Sequence, residues 1–122
     1  MIPLIYVAHA FGGDPKNLVK AEQWCAALSE MVDAVFVAPW IPLCKYWINA
    51  DTSLARGLEL DFAAIEQCKF VIMVGGSVSP GMAKERDHAV ANGVTVLDYS
   101  WISDATWLTD DVASQIRDEV EP

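Results

Sequence analysis

The fold class that the sequence predicts is α/β: a three-layer, mainly parallel, Rossmann-like sheet of four to five strands in the order 2-1-3-4, with helices on both faces. Three observations carry this. The chain has 122 residues, a length that fits a single domain spanning 1–122 and buries a core without disulfides or metal. Four short runs rich in Val, Ile, Leu and aromatic residues alternate with segments of helical periodicity, the pattern of βαβ crossovers. The runs are apolar throughout, as Phe70-Val71-Ile72-Met73-Val74 illustrates, which suits strands covered on both faces.

The first strand is expected over Pro3 to Ala8. Lys16 to Met31 follows as a helix, with Leu18, Val19, Trp24, Cys25, Leu28 and Met31 at helical spacing. A second strand over Asp33 to Val37 leads into residues 38–53, which show no clear periodicity and are expected to form a long, functional loop. Leu54, Leu58, Phe62 and Ile65 mark a helix over Leu54 to Gln67, and Phe70 to Val74 a third strand. The next helix begins at Ser79-Pro80-Gly81 and ends at Asn92-Gly93, with Ser as cap, Pro in the first turn and Gly past the end. Val94 to Tyr99 is the fourth strand, and Asp110 to Glu119 an acidic helix that packs on the sheet or on a partner.

Composition narrows the function. A formal net charge of −9, with only 8 basic residues scattered along the chain, repels DNA and RNA, so a nucleic-acid polymer is not an expected partner. A small phosphorylated ligand stays compatible, since helix-start N–H groups can hold one phosphate locally. The apolar run Ile2 to Ala10 lacks a basic leader and is interrupted by Tyr6 and His9, so neither a signal peptide nor a membrane span is expected. Three cysteines, Cys25, Cys44 and Cys68, match no disulfide framework and no zinc spacing, which points to a reducing cytoplasm. Dinucleotide, Walker and serine-elbow motifs are missing, and neither a cofactor nor a metal is expected.

In an open parallel sheet, ligands bind beyond the carboxyl ends of the strands. That selects the segments His9 to Asp14, Val37 to Ser53 and Gly75 to Gly81. Glu85 lies one turn into the helix after the third strand, about 60° from Met82 and about 40° from Ala89 around the axis, at the border of the packed face. Its plain alternative is a surface Glu near a helix start. Asp61 falls within the apolar arc of Leu54, Leu58 and Ile65, where a carboxylate needs a partner; pairing with Arg56 or Lys69 is the simpler account. Tyr6 ends the first strand with a phenol that can meet a carboxylate or a ligand. His9 is the histidine nearest the expected mouth, while His88 faces away from Glu85 and is expected to be exposed. The Gly12-Gly13 pair is a weak candidate for an anion nest.

Tyr6-Val7-Ala8, Leu60-Asp61-Phe62, and Ser79-Pro80-Gly81-Met82-Ala83-Lys84-Glu85 with Ala89 together resemble the nucleoside 2-deoxyribosyltransferase superfamily, which includes the deoxynucleoside 5′-monophosphate N-glycosidases. The resemblance covers roughly residues 2 to 99, and Gly81, Glu85 and Ala89 are its most specific part. It implies cleavage or transfer at the N-glycosidic bond of a nucleoside or nucleotide. Glu85 would be the nucleophile, and Asp61 and Tyr6 would bind the sugar and orient it. Such a bond breaks through a cation-like sugar, which an adjacent carboxylate stabilises and captures. Ser79, Gly81, Met82, Ala8, His9 and Gly12 would line the substrate; the Trp40 to Trp47 segment matches no substrate motif of the family, and Trp40 and Trp47 are candidates to stack on a base, with core or loop packing as the plain alternative. A Ser at position 79 is similar to the monophosphate hydrolases. The first loop departs from them, lacking the Ser and Arg that clasp their 5′-phosphate, and Lys84 stands where an aromatic residue is common. The resemblance also implies a homodimer or higher homo-oligomer. A module that binds a nucleotide signal without turning it over, and a subunit docking a partner through its acidic tail, are the competing readings.

Overall fold

Four parallel strands lie in the order β2-β1-β3-β4, so β1 (Leu4–Ala8) and β3 (Phe70–Met73) are the inner pair. The computed structural model describes residues 1–46 and 51–121. β1 pairs on one side with β2 (Val35–Val37) and on the other with β3, which in turn pairs with β4 (Thr95–Asp98). The register sets Tyr6 beside both Val37 and Val71, and Ala8 beside Met73. Every connection is a crossover, as parallel strands require.

Alternation along β1 and β3 divides the core in two. Ile5, Val7, Phe70 and Ile72 face one side, where Trp24 and Leu28 of α1 (Pro15–Met31) and Val112, Ile116 and Val120 of α5 (Asp110–Val120) cover them. Tyr6, Ala8, Val71 and Met73 face the other, under α2 (Trp40–Tyr46), α3 (Asp51–Glu66) and α4 (Pro80–Ala91), which contribute Trp40, Ile41, Ile65, Met82 and Ala89. The expected three layers and strand order are therefore present. The acidic tail helix packs on the sheet, its Val112, Ala113, Ile116 and Val120 all buried.

Two expectations for residues 38–53 change. Trp40–Tyr46 is a helix rather than loop. Seven residues are too few to display a period, and Pro42 suggests a break, although proline is tolerated within a first turn because no intrahelical N–H bond is lost there. Packing supplies what periodicity could not: Trp40 and Ile41 are buried, and the Trp40 indole N–H donates to the Val7 carbonyl at 3.0 Å. Further on, α3 starts at Asp51, ahead of the expected Leu54. Trp47, the other proposed stacking residue, lies outside the described residues. Among the described residues no helix is long and apolar enough to cross a membrane.

Candidate active site

β1, α3 and α4 each bring one polar group to the carboxyl end of the sheet. Ser79 caps α4, its hydroxyl accepting the Met82 N–H at 3.2 Å, and Pro80 opens the first turn. Glu85 follows on the same face as Met82 and Ala89, and all three are buried. Across from it, Asp61 stands on α3 and Tyr6 rises from β1. The Tyr6 hydroxyl donates to Oε2 of Glu85.

Among the described residues, the buried polar or charged side chains are His9, Asp61 and Glu85, at 4%, 6% and 6% exposure. All three line one cavity of about 400 Å³. Tyr6 is fully buried behind the wall and reaches the site through its bond to Glu85. Such clustering is not what satisfied structural polar groups do, since a buried carboxylate without a cation is costly. The simpler account of Asp61 does not hold: Arg56 pairs with Glu59 at 3.0 Å, Lys69 donates to the Val120 carbonyl, and Oδ1 of Asp61 is buried with no hydrogen-bond partner.

Burial dominates the electrostatics. It pushes the Asp61 carboxyl up to about 7, opposed by the nearby Tyr6 hydroxyl, which pulls it down. It pushes Glu85 up to about 8, opposed by the Tyr6 bond and assisted by the charge of Asp61. The titration belongs to the pair. Of the two carboxyls, Glu85 is the one whose ionised form has a donor, since Tyr6 donates to it while Oδ1 of Asp61 has no hydrogen-bond partner. Burial, then both carboxylates, raises the Tyr6 phenol, so it stays a donor.

His9 has its Nδ1 at 2.7 Å from the Ala10 carbonyl, which makes Nδ1 the protonated nitrogen of a neutral ring. Burial first, then the charge of Lys20, holds its pKa below the usual histidine value. The ring lies against Gly75, whose φ of +112° suits glycine and where a Cβ would fall 2.5 Å from the imidazole. Gly12 and Gly13, with φ of 60° and 77°, form a tight turn closed by the Asp14 N–H on the Phe11 carbonyl at 3.1 Å. Their positive φ values are those of a type I′ turn rather than an anion nest.

Of the residues expected at the site, Glu85, Asp61, His9, Gly12, Trp40, Ser79, Gly81 and Met82 line the cavity. Ala8 does not; its side chain points into the core between β1 and the helices above it. His88 is half-buried rather than exposed, stacked on Phe62 and bonded to Glu66 at 2.9 Å. Sequence reasoning missed Phe11, Leu43, Cys44, Gly57 and Leu58, which complete the walls. Gly57 and Leu58 stand four and three residues before Asp61, a spacing that puts them on its face of the helix and could have marked them. Leu43 and Cys44 carried no such mark because α2 was not foreseen. Burial and then the two carboxylates raise the Cys44 thiol.

Residues 3–99 match a protein family described as a domain of unknown function (DUF7768). The matched span runs from the start of the sheet to just past β4 and contains every residue named at the cavity. No curated protein matches the chain.

Proposed function

The chain belongs to the DUF7768 family, and from that premise we propose that it cleaves or transfers at the N-glycosidic bond of a (deoxy)nucleoside or its 5′-monophosphate, with Glu85 as nucleophile. The observation that carries this reading is that Glu85 and Asp61 line one mostly apolar cavity with Tyr6 bonded to Glu85. It agrees with the resemblance to the nucleoside 2-deoxyribosyltransferase superfamily.

Tyr6 occupies Oε2 of Glu85, leaving Oε1 to attack the anomeric carbon. As the bond to the base breaks, Asp61 in its protonated form gives its proton to the departing nitrogen, and the sugar becomes an ester of Glu85. Asp61, now ionised, takes a proton from a water or an incoming base, which attacks the same carbon and frees Glu85. Atoms and charges balance over the two displacements, as in retaining glycosidases. The apolar walls formed by Trp40, Leu43, Leu58 and Met82 keep water from the ester and offer faces to a base.

Incubation with a panel of nucleosides and nucleotides, followed by detection of free base, tests the reading. Base release by the wild type and none by Glu85→Gln supports it; no release from any substrate defeats it. A binding module is the second reading, favoured by the burial that raises the Glu85 carboxyl and so disfavours the ionised form that attack requires. It expects ligand-dependent thermal stabilisation in both proteins with no product. The resemblance further suggests a homodimer and the cysteine pattern a cytoplasmic location, and Trp101 and Trp107, about 70% exposed, are surfaces such an assembly could cover.

A further inference from the structure

Resting on the nucleoside reading, we infer that this cavity takes the uncharged nucleoside and rejects its phosphate ester. No Lys or Arg among the described residues lines it, and residues 47–54, Trp-Ile-Asn-Ala-Asp-Thr-Ser-Leu, contain none. Lys20, whose charge reaches His9, is exposed on α1 and is not part of the wall. The charged groups that do line it are Glu85 and Asp61, both acids, and His9 is neutral.

A helix start could replace a cation, but the first turn of α4 has little to give. Pro80 has no N–H. The Met82 N–H is held by the Ser79 hydroxyl at 3.2 Å, and the Ser79 N–H points to the Met82 sulfur at 3.4 Å. That leaves the N–H of Gly81. Ser79, the residue that resembles a phosphate contact, is thus engaged as a helix cap. A phosphate entering here would shed water against Phe11, Leu43 and Leu58, meet two carboxyls, and gain from this turn only the Gly81 N–H and the Ser79 O–H, neither of which carries a charge. Like charges brought together across an interface are strongly unfavourable.

The structure also supplies a site for the converse change. Gly57 lines the cavity on α3, and a Cβ built there meets nothing within 4 Å. An arginine at that position enters open space, and leaving glycine favours the helix.

Calorimetric titration of the wild type and of Gly57→Arg with each of the four common 2′-deoxynucleosides and its 5′-monophosphate, at one ionic strength, decides the matter. For at least one base the wild type should bind the nucleoside more than about tenfold tighter than the monophosphate, and Gly57→Arg should narrow that ratio. Equal or tighter binding of the monophosphate by the wild type overturns the inference while leaving the nucleoside reading intact. An unchanged ratio in folded Gly57→Arg also overturns it, since a missing cation would not be the cause. Binding of none of the eight compounds removes the nucleoside reading and this inference together.

Discussion

Tyr6 and Glu85 are 79 residues apart in the chain, yet the phenol of one donates to the carboxylate of the other inside a buried site. The bond joins the inner strand β1 to α4 and orients the proposed nucleophile. Tyr6→Phe removes the donor and leaves a buried oxygen unpaired, which should cost about 1–3 kcal/mol of stability, readable by urea denaturation. The bond lowers the Glu85 pKa, so its loss should raise it. If Glu85 is the nucleophile, the acidic limb of the base-release profile should then move to higher pH in the variant.

The pH dependence of stability has a definite sign. Both carboxyls are raised above their ordinary values, Asp61 to about 7 and Glu85 to about 8, so between the ordinary carboxylate range and pH 8 the folded chain holds protons that the unfolded chain has lost. Their contribution is fully present below about pH 4 and declines as pH rises through 7 to 8. Glu85→Gln should flatten that decline and be more stable than wild type at pH 8. Thermal denaturation at stepped pH measures it, and parallel curves for the two proteins would count against a buried, proton-holding Glu85.

Gly75 and Gly13 offer a matched pair of substitutions. Both have positive φ, but a Cβ at Gly75 would run into the His9 ring while one at Gly13 meets nothing within 4 Å. Gly13→Ala should cost about 1 kcal/mol from backbone strain alone. Gly75→Ala should cost several-fold more and, by displacing His9 from the cavity wall, weaken ligand binding as well. Calorimetric melting and titration separate the two effects.

Trp40 both walls the cavity and ties α2 to β1. Trp40→Phe keeps a large aromatic but removes the N–H that meets the Val7 carbonyl at 3.0 Å. A loss of roughly 1–2 kcal/mol in stability is expected, with weaker ligand affinity by titration. A variant as stable as wild type would mean that water replaces the indole.

How far the sequence reaches can be judged from particular residues. Strand 70–73 was legible because both faces are buried and the apolar run is unbroken, and strand 4–8 because all but its first residue are buried and Tyr6 alone interrupts the aliphatic run. The ends of α4 were legible because Ser79, Pro80 and Gly93 carry local chemistry. Asp61 announced itself by interrupting an apolar arc, a conflict between burial and charge that a single helix can display. α2 did not, because its stability comes from Trp40 and Ile41 docking on distant residues rather than from a period. The contact of His9 with Gly75 and the bond from Tyr6 to Glu85 are likewise products of tertiary packing.

Strand order carries one last consequence, for how the chain comes off the ribosome. β1 is made before the other three strands but lies between β2 and β3, so one of its hydrogen-bonding edges stays unsatisfied until synthesis has run on through Phe70–Met73. A nascent chain halted before Phe70 would present that edge to solvent and to its neighbours on a polysome, a template for intermolecular pairing. Arrested chains released short of β3 should therefore aggregate more than those released beyond β4.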